Sequence, residues 1–481
     1  MPRRPPSLVA GLAAAAFVVR LVGLTRPVRA DEAGFTLVAR AWDPSPGSVF
    51  GPYFVDRPPS LVALFGTADA LAGPLAVRVL GAVACAVVVL LAWRLAVELD
   101  RPGAAPWVAA AAAALVVTPA IDVVAVKGEV LALPFVLAAA VLAVRLARER
   151  TRHPWPVAVL TGLLAAAPLG LKQNLAGALV LVGVLLLATP RTRRLLPAVA
   201  LGAAVPVLAT IAWALVAGVR LSVLWYAVYG FRADASAALA EGSAAAPARR
   251  ALVLLLIVVV TGLGAALAAY AVTLRGQWRH DAPLTGAVVA MVIFDVASLV
   301  AGGSFWQDYA FGLVPGALLA LVLVGARARR AVASLAVASS LVCLAGWGVW
   351  NLAGRQEFSE RDTGVALAAV AEPGDTLVVF GGRADVQLES GLASPYPYLW
   401  SLPMRALDPD LVELRTLVAG PDAPTWLVEW WDFDTWDHAA GDALRADVER
   451  RYVRAGTACD GRPVWLLRGE DRATPEPACT S

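Results

Sequence analysis

Eleven apolar segments follow one another along the first 350 residues of this chain, and they constrain its fold more than any other feature. Helices of roughly 17 to 25 apolar residues cross the hydrocarbon core of a bilayer, where each backbone N–H and C=O must be satisfied within the protein. The sequence therefore predicts a polytopic α-helical membrane protein with about eleven transmembrane helices. The segments lie near 7–24, 74–97, 105–121, 130–147, 155–170, 174–189, 196–218, 251–273, 284–301, 309–325 and 331–351.

Composition excludes the main soluble classes. Hydrophobic residues make up 59% of the 481 residues and charged residues only 16%, against roughly 25% charged in an ordinary soluble protein. The formal net charge is +3, and no dense basic patch interleaved with aromatic residues occurs. We therefore expect membrane lipids around the protein and no nucleic acid partner.

Arginines predict the orientation of the chain in the membrane. They concentrate in every second connection between apolar segments, and the positive-inside rule places such connections in the cytoplasm. We expect a multi-pass protein of the plasma (inner) membrane, with a cytoplasmic N-terminus and an exoplasmic C-terminus. The arginines are Arg101, those within 148–152 and 191–194, Arg275 and Arg279, and those within 327–330.

The chain changes character after the last apolar segment. Residues 1–351 are predicted to form the transmembrane domain, with interfacial helices in a first exoplasmic loop at 26–73. Residues 352–481 contain short β-rich runs at 376–380 and 426–430 and a helical stretch at 359–371. We expect them to form a small exoplasmic α/β domain.

The cysteines follow the same division. Cys85 and Cys343 lie in apolar segments, whereas Cys459 and Cys479 lie in the C-terminal domain. If that domain is exoplasmic, its cysteines meet an oxidising compartment, so we predict a disulfide between them. The spacing of the cysteines does not indicate a zinc site.

Lysine is almost absent from this sequence. Of the 40 basic residues only Lys127 and Lys172 are lysines, a bias typical of high-GC coding sequences in which arginine supplies plain positive charge. A compact ammonium differs from a planar guanidinium in size, hydration and hydrogen-bond geometry. The two lysines are therefore candidates for specific roles, although chance survival is the alternative.

The unusual polar residues all fall on the predicted exoplasmic side. Ionisable groups near membrane depth are costly and generally face a cavity or a partner. We therefore expect three loops, distant in sequence, to bring carboxylates and cations together at the outer rim of one helix bundle. These residues are Asp31, Glu32, Asp56, Arg57, Asp122, Lys127, Glu129, Lys172, Gln173 and Asn174.

Each candidate also has a structural interpretation. Asp31 and Glu32 could cap an interfacial helix at 33–42, and Asp56 and Arg57 could form a surface ion pair of little energetic value. Lys127 and Glu129 could reach to the lipid headgroups, and Lys172 could anchor a lipid phosphate.

Short motifs in these loops resemble the GT-C glycosyltransferases, in particular the branch of the aminoarabinose transferases and protein O-mannosyltransferases. The resemblance covers roughly residues 1–350. The segment Gly302–Tyr309 also resembles a late-loop motif of bacterial members, but it has Asp308 where many relatives have histidine. The other matching stretches are Asp31-Glu32-Ala33-Gly34, Val55-Asp56-Arg57-Pro58-Pro59, Lys127-Gly128-Glu129 and Gly170-Leu171-Lys172-Gln173.

The resemblance implies a bacterial cell-envelope enzyme. Such an enzyme moves a sugar from a polyprenyl-phosphate donor to a hydroxyl of an envelope glycan, lipid or protein on the exoplasmic face, with inversion at the anomeric carbon. Asp31 would be the general base, and Glu32 would orient it. The donor phosphate would be bound by Arg57, Lys127, Lys172 and Gln173. Asp56 and Glu129 would complete an acidic pocket, in which Glu32, Asp56 and Glu129 could hold a divalent metal cation.

Two other classes of protein fit the same residues. A transporter or flippase of a lipid-linked or anionic solute would also contain many spans with inward polar groups. Against it, the polar residues cluster at one rim, and no inverted repeat with broken spans is visible. A non-catalytic partner in glycan assembly would keep the fold without the activity.

Overall fold

The structure is a computed structural model that describes residues 5–241 and 245–479. Its α-helices are, in chain order, α1 (Ser7–Leu21), α2 (Ala30–Arg40), α3 (Pro59–Ala72), α4 (Ala76–Glu98), α5 (Ala105–Val117), α6 (Gly128–Ala147), α7 (Pro154–Ala166), α8 (Gly177–Ala188), α9 (Leu196–Val216), α10 (Leu221–Trp225), α11 (Phe231–Glu241), α12 (Ala245–Val260), α13 (Leu263–His280), α14 (Ala282–Ala301), α15 (Val314–Leu323), α16 (Ala326–Leu352), α17 (Ser359–Val370), α18 (Ala384–Ser390), α19 (Ser401–Leu407), α20 (Val412–Ala419) and α21 (His438–Arg451). Four strands are described, β1 (Leu377–Phe380), β2 (Trp426–Glu429), β3 (Tyr452–Thr457) and β4 (Pro463–Leu467).

The backbone divides into two compact units, each assembled from separate stretches of chain. Unit 1 comprises residues 1–26, 75–212 and 244–349. Unit 2 comprises residues 27–74, 213–243 and 350–481. The C-terminal segment therefore packs in one unit with the first predicted exoplasmic loop.

Unit 1 is a bundle of apolar helices around a core of small and branched side chains. The alanine-rich helix α5 is buried along most of its length, next to α1, α4 and α15. Helices α7 and α9 come especially close, because a side chain at Gly162 would meet the carbonyl oxygen of Val199, and one at Gly202 would meet that of Val159. Small residues at such crossings allow two helix backbones to approach within lipid.

Six helical segments of the described chain are long and apolar enough to cross a membrane, or up to seven if Leu221–Glu241 and Ala245–Val260 form one bent span. The protein is therefore a helical membrane protein, but the predicted count of about eleven is not confirmed. Four other predicted spans correspond to shorter apolar helices, at Ala105–Val117, Pro154–Gly170, Gly177–Ala188 and Gln307–Leu323. The six are Ser7–Thr25, Ala76–Glu98, Gly128–Ala147, Pro190–Val216, Ala282–Ala301 and Ala326–Leu352.

One predicted span is wrong in its boundaries. The segment 251–273 is not a single helix, because α12 ends at Val260 and α13 starts at Leu263. Gly262 between them has φ +82°, a left-handed conformation that interrupts a right-handed helix. The sequence stays apolar across this break, so its hydropathy does not reveal the break.

Unit 2 contains a four-stranded sheet in the order β1-β2-β4-β3. Strands β1 and β2 are parallel, with Leu377 opposite Trp426, and the remaining pairs are antiparallel. Side chains alternate between two apolar clusters: Val378 and Phe380 belong to one, and Leu377 and Val379 to the other. Every residue of β1 and β2 is buried, and these two strands lie at the β-rich runs of the sequence.

The three stretches of chain in unit 2 are joined by hydrogen bonds. The N–H of Phe54 donates to the carbonyl of Pro397 (3.0 Å), and the N–H of Ser394 donates to the hydroxyl oxygen of Tyr53 (3.1 Å). The Arg405 guanidinium donates to the carbonyl of Ala238 (2.8 Å). These bonds tie the C-terminal segment to residues 27–74 and 213–243.

The C-terminal segment closes on itself through a disulfide. Cys459 and Cys479 are bonded, with their Cα atoms 5.6 Å apart. Cys459 is buried, and its N–H donates to the hydroxyl of Thr363 at 3.2 Å. The last residues described are thereby attached next to α17.

Candidate functional site

The candidate residues fall into two groups, one in each unit. Each group contains carboxylates and cations that the sequence separates widely. Unit 2 holds Asp31, Glu32, Asp56 and Arg57, and unit 1 holds Asp122, Lys127, Glu129, Lys172, Gln173 and Asn174.

Asp31 lies in the first turn of α2 and is held by a residue that the sequence analysis did not select. The indole N–H of Trp400 donates to Oδ1 of Asp31 at 3.0 Å. Trp400 lies directly before α19, so the two partners are 369 residues apart in sequence. The carboxylate is half-buried and has a defined orientation.

Glu32 adopts the capping role that the sequence analysis weighed for it. Its side chain is fully buried, and Oε2 accepts the backbone N–H of Arg29 at 3.1 Å. A glutamate at the third position of a helix commonly satisfies a free amide at the helix start in this way. Glu32 therefore fixes the first turn of α2, where Asp31 also lies.

Asp56 and Arg57 form part of a larger ionic cluster. Oδ1 of Asp56 accepts Nη1 of Arg57 at 2.6 Å, and Oδ2 pairs with Arg232. The Arg57 guanidinium also lies over the ring of Phe35 in α2, 5.9 Å from its centre. Two guanidinium groups thus contact one carboxylate, and guanidinium groups are also suited to bind phosphate through several N–H donors.

Lys172 and Glu129 form a buried ion pair in unit 1. Their side chains are only 8% and 5% exposed. The ammonium of Lys172 also lies 3.8 Å from the ring centre of Tyr309. The approach depends on Gly128, because a Cβ there would lie 2.6 Å from the carbonyl oxygen of Leu171.

Lys127 is the more accessible of the two lysines. Its Nζ lies 3.4 Å from Oδ1 of Asp308, and its side chain is 24% exposed. Asp308 and Tyr309 are consecutive, so one short segment supplies a partner to each lysine. Gln173 follows Lys172 directly and is half-buried.

A buried arginine that the sequence analysis missed fixes the loop before Lys127. Arg20 lies in α1 and is 1% exposed. Its guanidinium donates to the carbonyls of Asp122 (2.6 Å) and Ala125 (3.0 Å). The carboxylate of Asp122 accepts the N–H groups of Val124 and Ala125, so its role is to form this turn. A lone arginine inside an apolar segment was the available signal.

The fold of this chain is similar to that of a solved membrane enzyme. The chain is similar to the oligosaccharyltransferase of Archaeoglobus fulgidus in a crystal structure described as a complex with Zn and sulfate, with a TM-score of 0.52 and 12% identity over 95% of this chain and 73% of that one. A second structure of that enzyme, tethered with an acceptor peptide, gives a TM-score of 0.49 at 13% identity, covering 95% and 74% of the two chains. No family model and no curated protein match the chain.

The fold is of the GT-C type. The first comparison confirms this part of the resemblance seen in the sequence motifs, while the subfamily stays a prediction. At this identity the likeness concerns the fold alone, so the chemistry has to be argued from the side chains.

The predicted metal ligands do not fit a metal site. Glu32 accepts a backbone amide, Asp56 pairs with two arginines and Glu129 pairs with Lys172. Within residues 5–241 and 245–479, no three His, Cys, Asp or Glu side chains are grouped so that they could hold a metal ion. No step proposed below uses a metal.

Proposed function

We propose that this protein is an integral membrane glycosyltransferase that uses a polyprenyl-phosphate sugar as its donor. The acceptor is a hydroxyl group of an envelope glycan, lipid or protein on the exoplasmic face of the plasma membrane. The observation that carries the proposal is the Asp31 carboxylate, which is half-buried and held by a hydrogen bond of 3.0 Å. The GT-C-type fold supports it.

The reaction requires one proton acceptor. The hydroxyl oxygen of the acceptor substrate attacks the anomeric carbon of the donor sugar. The bond from that carbon to the phosphate oxygen breaks, with inversion at the carbon. The electron pair leaves with the polyprenyl phosphate, and Asp31 takes the proton of the attacking hydroxyl. A carboxylate with a fixed direction suits this role, because proton transfer depends on hydrogen-bond geometry in the transition state.

Cationic groups must stabilise the departing phosphate. Arg57 suits this role, since a guanidinium binds phosphate through several N–H donors and Arg57 lies in the same unit as Asp31. Lys127 stays a predicted ligand of the donor phosphate; its Nζ lies 3.4 Å from Oδ1 of Asp308, and its side chain is 24% exposed. Lys172 pairs with Glu129 in unit 1, with both side chains buried, so we assign it a structural role there.

The test is the Asp31→Asn variant. It keeps the shape and an acceptor oxygen for Trp400 but loses most of the basicity, so we expect transfer to fall about 100-fold or more. Host cells that lack the protein would be complemented with wild type or variant, and their envelope glycans would be measured by mass spectrometry. Initial rates would be measured in membrane vesicles, which supply their own donor and acceptor.

Asp69→Asn is the matched control. Asp69 is another aspartate of unit 2, but it forms a partly exposed pair with Arg40, so its loss should change little. Wild-type transfer by purified Asp31→Asn protein, supplied with lipid extract of the host membranes, would refute the assignment of the base. A protein that moves lipid-linked sugar across vesicles without forming product would be a flippase instead.

A further inference from the structure

We infer that Trp400 is a positioning residue for the catalytic base: its indole N–H holds Asp31 in the orientation in which the carboxylate accepts the proton. The inference rests on the proposed function, since Asp31 is a base only if the protein is a transferase. The inference assigns a positioning role to a residue of the C-terminal segment, whereas the proposed base lies in the first loop.

The indole ring of Trp400 is seated directly against α2. Gly34 provides the space, because a Cβ at this position would lie 2.1 Å from Cζ2 of Trp400 and 2.6 Å from Cη2. Phe35 packs on the indole as well, with ring centres 5.6 Å apart. Asp31 and Gly34 are three residues apart on the helix, so the residue that is hydrogen-bonded and the residue that makes room share one face.

The backbone of Trp400 is fixed from its other side. Gly382 has φ +71°, and a Cβ there would lie 2.1 Å from the amide nitrogen of Ser401. Trp400 also forms an antiparallel bridge with Arg383. Because the main chain and the ring are both held, the indole N–H has little freedom to follow a rotating carboxylate. The indole N–H therefore favours the carboxylate orientation in which Oδ1 accepts its hydrogen bond.

A neutral donor suits this role better than a cation would. An ion pair stabilises a carboxylate strongly and so lowers its basicity, whereas a neutral N–H orients it at a smaller cost in basicity. Arg383 donates to Asp385 at 3.0 and 2.6 Å and pairs with Glu360 at 2.6 Å, and its charge also acts on Asp31, so the Trp400 N–H is the directional donor beside a more distant cation. Burial opposes the charge of Arg383, but the carboxylates of Asp385, Glu360 and Asp31 hold its pKa above the usual range.

Nuclear magnetic resonance can test the contact without any substrate. Full-length protein in detergent micelles would be labelled with 5-fluorotryptophan, and the ¹⁹F resonance that disappears in Trp400→Phe belongs to Trp400. We expect this resonance to titrate with pH and to lose that titration in Asp31→Asn, but to keep it in Glu360→Gln. A Trp400 resonance with the same position and titration in Asp31→Asn would overturn the inference.

The rate of transfer tests the role. Trp400→Phe keeps an aromatic ring against Gly34 but removes the N–H, and a hydrogen bond to a charged group is worth enough to change a rate about tenfold. We expect an initial rate in membrane vesicles about tenfold lower and an acid limb of the pH–rate profile moved to higher pH. With purified protein and added lipid extract of the host membranes, the half-saturating amount of extract should be unchanged. Trp42→Phe is the matched control, since the Trp42 indole donates to the carbonyl of Val49 at 3.0 Å in the same unit.

A second pair of variants covers the case in which Trp400→Phe does not fold. Gly34→Ala keeps the indole but displaces it, so it should lower the rate in the same way, whereas Gly47→Ala adds a Cβ in open space. A wild-type rate in Trp400→Phe or Gly34→Ala, with Asp31→Asn inactive, would overturn the positioning role and leave the proposed function intact. If Asp31→Asn is fully active, the proposed base and this inference both fall.

Discussion

The buried pair of Lys172 and Glu129 allows a sharp prediction about stability. Neither side chain has appreciable contact with water, so removing one charge leaves the other buried without its partner. Breaking such a pair typically costs about 3–5 kcal/mol. Lys172→Met also removes the cation from the ring of Tyr309, a contact worth up to about 2 kcal/mol when desolvated. We therefore expect Lys172→Met to be destabilised by about 4 kcal/mol.

The double variant Glu129→Gln with Lys172→Met removes both charges together. Its loss should be nearer about 2 kcal/mol, because no unpaired charge remains. The free energy of unfolding would be compared by denaturant titration in detergent micelles, following tryptophan fluorescence. Arg145→Met is the control. It removes the long ion pair of Arg145 with Glu98, but Glu98 still pairs with Arg94 and Arg150. Equal losses in Lys172→Met and Arg145→Met, or a double variant as damaged as the sum of its single variants, would refute the reasoning.

Three further predictions concern other parts of the chain. Lys127→Arg should lower transfer several-fold although it keeps the charge, because a guanidinium is larger than an ammonium, and an unchanged rate in vesicles would contradict this. Replacing Cys459 and Cys479 by alanine should lower the stability of the C-terminal segment by about 3 kcal/mol, measured as a lower unfolding midpoint that reductant no longer changes. A reporter fused after Ser481 should be active only outside the cytoplasm, whereas cytoplasmic activity would reverse the predicted orientation.

Hydropathy in the sequence predicted a helical membrane protein, and β-rich runs predicted β1 and β2, but hydropathy could not predict where helices stop. Residues 155–170 are apolar throughout, yet α7 ends at Ala166 and a 3-10 turn follows. Helix α8 has 12 residues, fewer than a bilayer requires, because its flanking apolar residues are not helical. Pro168 follows the end of α7 and Pro190 follows the end of α8, and the helical conformation is disfavoured before a proline, a signal that hydropathy does not contain.

In the candidate site, too, the residue types could be selected from the sequence, but contacts between distant residues could not. Charged residues are rare in apolar sequence, so Lys127, Lys172 and Glu129 could be selected by type alone. The pairing of Lys127 with Asp308 could not be predicted in this way, because Asp308 is more than a hundred residues further along the chain. Trp400 and Arg232 had no local signal either, since tryptophan and arginine are both common in this sequence.

The interleaved construction of unit 2 has a consequence for how the protein is made. Residues 27–74 leave the ribosome first, but Tyr53, Phe54 and Asp31 all bond to residues between 394 and 400. Until synthesis is almost finished, the first loop therefore lacks the partners that order it. A nascent chain stalled before Ser394 should present this loop to proteases, and release of the complete chain should protect it. Asp31 would then receive its hydrogen bond from Trp400 only at the end of synthesis. Truncated products would be inserted in the membrane without becoming active.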